Sequence, residues 1–126
     1  MYTGCKKNEE TPLTQQLKLL KNGGSSWVVS SVIKDTYDVT DQFVGFTISF
    51  DDTSYTTTNS LNTAWLATGT WAFQDNNPDL ILREDGTSIS VSTANNQLVL
   101  SFFSSGPIGG RVEGVSGDYV FTLISQ

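Results

Sequence analysis

The chain has 126 residues, 37% of them hydrophobic, and carries 13 acidic against 7 basic side chains, a formal charge of −6. That length suits one domain around a single core, and the apolar fraction gives no sign of disorder in the body of the chain. No apolar run approaches the ~20 residues of a transmembrane helix, and the scattered Lys and Arg supply no basic stripe for nucleic acid. Abundant Ser, Thr, Gly and aromatic residues point toward β structure.

The first ten residues read as a tether. Cys5 is the single cysteine, so an intrachain disulfide is ruled out. With no histidine, a Cys/His metal site has no second ligand type. So close to the terminus, chains fray rather than pack. Tyr2-Thr3-Gly4-Cys5, followed by the polar run Lys6-Lys7-Asn8-Glu9-Glu10, resembles the lipobox of bacterial lipoproteins. The resemblance implies a signal peptide and a lipidated Cys5, with residues 1–12 as lipobox remnant and flexible tether. A single acyl chain holds a protein only marginally, so permanent anchorage implies more than one. The charged residues after the cysteine also resemble export signals of surface lipoproteins of the Bacteroidetes type. A free thiol on a disordered tail is the competing reading.

From residue 13 the pattern is that of a folded domain. Thr11 suits an N-cap, Pro12 the first helical position and Gly23 a C-cap. Leu13, Leu17 and Leu20 make one apolar stripe with Leu19 beside it. Lys18 and Lys21 sit where the helix dipole favours positive charge. Such a helix packs its leucines on the outside or open end of a barrel.

After Gly23-Gly24 the period switches to alternation, predicting strands over 27–33, 43–50, 53–58, 68–74, 79–84, 87–93, 97–104 and 118–125. The inward set includes Val44, Phe46, Ile48 and Phe50, then Trp71 and Phe73, Ile89 and Val91, Leu98, Leu100 and Phe102, and Tyr119, Phe121 and Leu123. Hairpin turns fall at Asp51-Asp52, Asn76-Asn77-Pro78, Asp85-Gly86 and Asn95-Asn96. Val99, Phe103, Val120 and Ile124 lie on the second face, which the helix is expected to cover in part. Eight antiparallel strands in up-and-down order remove their exposed edges by closing. The expected fold is therefore all-β, a small eight-stranded barrel with one short N-terminal helix. The same pattern also fits a two-sheet sandwich.

Gly24-Ser25-Ser26-Trp27 is similar to the Gly-x-Trp opening of lipocalins, with one extra residue between Gly and Trp. Together with Thr68-Gly69-Thr70-Trp71-Ala72-Phe73 and Gly117-Asp118-Tyr119-Val120-Phe121-Thr122-Leu123, it makes residues 13–126 resemble the lipocalin-like lipoproteins of the Bacteroidetes. The resemblance implies a monomeric β-barrel in the cell envelope, anchored to the outer membrane on its periplasmic or surface face. It also implies that Trp27 packs at the closed base of the barrel.

Catalysis finds no support in the residues. Without His the common general base and the Ser-His-Asp or Cys-His arrangements are missing. The carboxylate pairs Asp51-Asp52 and Glu84-Asp85 sit at turns, where Asp serves the backbone. Asp75, Asn76, Asn77 and Asp79, and separately Asp35, Asp38 and Asp41, crowd oxygen ligands without the spacing of an EF-hand. Hairpin chemistry explains the first cluster and a solvated loop the second, so no metal or cofactor is implied. Two connections stand out instead. One is 58–67, with Leu61, Trp65 and Leu66. The other is the Gly-rich 105–117, with Pro107, Ile108, Arg111 and Glu113. If they share a rim, Trp65, Ile108 and Arg111 frame a ligand mouth beside Tyr55, above inward Trp71, Phe73 and Tyr119. Alternatively, Leu61 and Trp65 cap the core. An eight-stranded barrel either fills itself or holds one small ligand. Two readings follow: a lipid-anchored protein binding a small apolar, amphiphilic or sugar-like ligand, or a solid-barrel module whose loops meet a protein or glycan at the envelope surface.

Overall fold

The computed structural model describes residues 11–60, 64–94, 96–104 and 117–126. Cys5, Leu61, Asn95, Ile108 and Arg111 lie outside that set.

Helix α1 runs Pro12–Lys21, with Thr11 accepting the Thr14 N–H at 3.1 Å as N-cap. Its C-cap is Asn22, in the left-handed region at φ 53°, rather than the expected Gly23 one residue on. Asn tolerates that conformation, and its side chain also accepts from Ser125 Oγ at 3.0 Å. Among the described residues nine strands follow: β1 Trp27–Lys34, β2 Tyr37–Asp38, β3 Thr47–Phe50, β4 Ser54–Thr58, β5 Thr68–Gln74, β6 Asn77–Arg83, β7 Ser88–Ala94, β8 Gln97–Ser104 and β9 Gly117–Ser125. β3 to β9 form an antiparallel meander, and β1 pairs with both β3 and β9 to close it. The result is an eight-stranded antiparallel barrel with the two-residue β2 added on β1 and one short helix.

The two seams at β1 differ. Against β9 it pairs from Trp27↔Ser125 to Lys34↔Tyr119, with an irregularity between Val29 and Ser31. Against β3 it makes only Trp27↔Ile48 and Val28↔Thr47. The remaining edge is covered by the chain turning back on itself. Asp35 and Thr36 both take positive φ, 50° and 74°, as a two-residue hairpin requires. Val39 N–H then donates to Val32 O at 2.8 Å, and Val32 N–H to Thr40 Oγ1 at 3.0 Å.

Two strands begin elsewhere than the sequence predicts. The strand expected over 43–50 is a 3₁₀ turn, Thr40–Phe43, followed by β3. Gly45, at φ 82°, breaks the extended chain between them. Phe43 therefore turns into the core, and Val44, expected inside, is 72% exposed. The turn expected at Asn76-Asn77-Pro78 lies one residue earlier, at Asp75-Asn76, both at φ 56°. Asn77 and Pro78 already belong to β6.

Helix α1 packs against β3, β6 and β7 and lies across one end of the barrel. Leu20 is fully buried, and its carbonyl accepts the Trp27 indole N–H at 2.9 Å. Leu17 packs on the same core, while Leu19 stays half exposed. The fastening residue is Gln16, which the leucine stripe did not reveal. Its amide donates to Pro78 O at 2.9 Å and Asp79 Oδ1 at 3.4 Å and accepts from Thr93 Oγ1 at 2.9 Å. One side chain thus joins α1, β6 and β7. The apolar second face of β8 and β9 lies away from the helix, contrary to the expected cover; Phe103 is 57% and Ile124 47% exposed.

Gln16→Ala removes the part-buried hydrogen bonds to the Pro78 carbonyl and the Thr93 hydroxyl, each worth about 0.5–1.5 kcal/mol, and is expected to destabilise by about 1–3 kcal/mol. Leu19→Ala, on the exposed side of the same helix, should change stability by less than about 0.5 kcal/mol. Urea denaturation of both variants checks the contrast.

Candidate functional site

The inward side chains of the barrel are large and touch one another. Near the helix end, Phe50 meets Trp71 at 5.7 Å between ring centroids, and Trp71 meets Phe73 at 5.1 Å. The Trp71 indole N–H is shared between Asp51 O and Ser54 O at 3.1 and 3.0 Å. The far end holds a second, larger set. Phe43 packs on Phe46, Tyr119 and Phe121; Phe102 stacks on Tyr119 and Phe121 at 5.8 Å each. Trp65 descends from the connection between β4 and β5 and meets Tyr55 at 5.2 Å, Phe102 at 5.4 Å and Phe121 at 6.4 Å.

Of the residues singled out in the sequence, Tyr55, Trp65 and Tyr119 converge at this far end. Trp71 and Phe73 belong to the other cluster, with Phe50. Leu61, Ile108 and Arg111 fall outside the described residues.

Trp65 is 1% exposed and acts as a stopper. Among the described residues its indole N–H meets no acceptor. An unmet buried donor costs about 1–3 kcal/mol, whereas removing a buried Trp or Phe side chain typically costs about 3–5 kcal/mol. Packing therefore wins and keeps the ring inside.

Arg83 completes the stopper and was missed from sequence. It sits at the end of β6, on the inward parity of Ile81, and is 3% exposed. Its guanidinium lies 5.0 Å from the Trp65 ring centroid and 5.5 Å from that of Phe102. Nη1 donates to Ala64 O at 2.6 Å, pinning the connection that carries Trp65. Nε and Nη2 donate to the two carboxylate oxygens of Asp85 at 3.1 and 2.8 Å, and Nη2 also reaches Thr87 Oγ1 at 3.3 Å. The available signal was an Arg at an inward strand position two residues before an Asp in the turn.

The turn carboxylates thus have local work. The Arg83 hydrogen bonds, against an opposing push from burial, hold the Asp85 carboxyl down at about 2. Glu84 accepts from Thr70 N–H at 2.8 Å and from the Tyr55 hydroxyl at 3.2 Å. Burial first, then the Glu84 charge, pushes the Tyr55 phenol well above its ordinary value. Tyr55 reaches Glu84 by passing over Gly69; a Cβ there would stand 2.5 Å from the Tyr55 hydroxyl and 2.6 Å from Cζ. Asp35 accepts from Asp118 N–H at 2.9 Å. Asp38 binds Thr40, whose hydroxyl holds its carboxyl below the usual range.

Outside the barrel, an open groove of about 540 Å³ runs between α1 and the β6–β7 edge, lined in part by Pro12, Leu19, Asp79, Ser90 and Ser92. The chain matches no protein-family model, no curated protein and no solved structure.

Asp85→Asn leaves the buried guanidinium without its counter-charge and should destabilise by about 3 kcal/mol, the low end for a broken buried pair because Asp85 is partly exposed. Arg83→Met removes the buried charge itself and keeps an unbranched chain against Trp65, but it strands the Ala64 carbonyl and should cost about 1–3 kcal/mol. The folded Asp85 carboxyl lies below its unfolded value of about 3.9. Its stabilisation is therefore full above about pH 4 and lost as pH falls toward about 2. Urea midpoints across that window should drop more steeply for the native chain than for Asp85→Asn.

Proposed function

We propose that this chain is a lipid-anchored protein of the cell envelope, held at the outer membrane through Cys5, with a filled barrel that serves as a scaffold. Recognition of a protein or glycan partner falls to its outside surface. The observation that carries the reading is the interlocked aromatic interior, closed at one end by Trp65 and Arg83 and at the other by α1. A ligand inside such a barrel would have to displace rings whose neighbours stand at 4.9–6.4 Å between centroids. The anchor rests on the lipobox-like run ending at Cys5.

One observation favours a second reading, in which the barrel takes a small apolar or amphiphilic molecule. Among the described residues the Trp65 indole N–H, buried among aromatic rings, meets no acceptor. A ligand carrying a carbonyl or hydroxyl acceptor would satisfy it, provided the 64–67 segment lifts.

All three tryptophans are buried, so intrinsic fluorescence reports directly on the interior. Titration with monomeric fatty acids, sterols and hydrophobic dyes is expected to leave the emission unchanged. A saturable shift, abolished in Trp65→Phe, would establish the second reading instead. The anchor is checked separately. Intact mass of the protein from its native envelope should show acylation at Cys5, and Cys5→Ser should release the protein without altering its melting temperature. An unmodified Cys5 thiol on the native chain would remove the anchor from the reading.

A further inference from the structure

The outward side chains of β8, β9 and β1 build one continuous face. The register sets Val28 beside Ile124, Ile33 beside Val120, Val99 beside Thr122 and Phe103 beside Asp118. Phe103 and Ile124 are the most exposed of these apolar residues, and Val28, Ile33, Val99 and Val120 are half-buried around them. The only charged residues in the three strands are Lys34 and Asp118, both at the end away from α1. Elsewhere the excess acid gathers in turns, as at Asp51, Asp52, Asp75 and Asp85. This is therefore a wall of the molecule that meets an apolar medium without desolvating carboxylates.

We propose that this face rests on the lipid bilayer, with Phe103 and Ile124 entering the boundary between headgroups and acyl chains. The proposal builds on the lipid anchor at Cys5 and adds the surface that the anchor presents. Residues 6–11 span at most ~20 Å when fully extended. They join the barrel at Pro12, at the same end as Val28 and Ile124 but over β6 and β7. A barrel so tethered stays within its own width of the membrane, where even a weakly apolar face is held at high effective concentration. A second copy is a poorer occupant. The face offers about a dozen outward residues, against the roughly 20–30 per side of a standard interface. Two chains of charge −6 also repel. A bilayer requires neither large area nor shape complementarity.

The full chain, uniquely reactive at Cys5, is coupled through that thiol to maleimide lipid in phosphatidylcholine nanodiscs doped with nitroxide-headgroup lipid. Backbone amide signals are then compared with those of undoped discs. Amides of β8, β9 and β1 are expected to broaden several-fold more than Thr56 and Thr70 on the opposite wall. Phe103→Ser/Ile124→Ser, two exposed changes compatible with folding, should level that difference. Broadening that is even around the barrel, or centred on β3–β5 or α1, overturns the proposal. So does a lipid-free dimer, seen by sedimentation and lost in the double variant, which assigns the face to a second copy. Chemical coupling supplies the tether whether or not the native thiol is acylated, so this outcome is independent of the mass measurement on Cys5.

Discussion

Everything in this molecule depends on the closure of β1 onto β9. That seam is registered along the full length of β1, and it determines which side chains of the whole meander point inward. Once closed, a barrel of this strand number has an interior only wide enough for its own side chains or one small molecule. The rings of Phe43, Phe46, Tyr55, Phe102, Tyr119 and Phe121 pack together in that interior. The weak seam with β3 is tolerable because the 35–40 segment folds back and pairs with the β1 edge.

A barrel packed in this way has two ends, and a different physical device stands at each. At one end an amphipathic helix uses its leucines for burial and Gln16 for position, so that the apolar contact and the hydrogen bonds specify the same placement. At the other end, among the described residues, an indole from a connection fills the gap. A guanidinium laid against that indole is neutralised bidentately and ties the connecting backbone at Ala64. The arginine serves less as a charge than as a flat, five-donor plate that seals the aromatic stack.

What the sequence made legible follows from local rules. Thr11 and Pro12 announce a helix start, alternation announces strands, and Asp51-Asp52 and Asp85-Gly86 announce turns, because each is decided by neighbours in the chain. What it hid is decided across the fold. Nothing local says that Gly45 takes a left-handed conformation and turns Phe43 inward. The cause is the space around it, where a Cβ would run into the Asn59 amide. A leucine stripe tells which side of α1 is buried but not which strands receive it, so the exposed wall of β8 and β9 was wrongly expected to be partly covered. Gln16 and Arg83 look like surface residues until their distant partners, Thr93 and Ala64, are in place. The segments bearing Leu61, Ile108 and Arg111 add nothing to this comparison.

Arg83 and Asp85 stand two residues apart on one hairpin. Their encounter therefore requires closing only a turn, whereas Trp27 and Ser125 must wait for chain segments from opposite termini. Loop-closure entropy separates these events: the ion pair is nearly free of it, and the barrel seam bears the most. The guanidinium can thus be neutralised before the aromatic interior forms around it, and the chain avoids the step of burying a bare cation. A charge that is expensive to bury in the finished fold is in this way inexpensive to bury along the route to it.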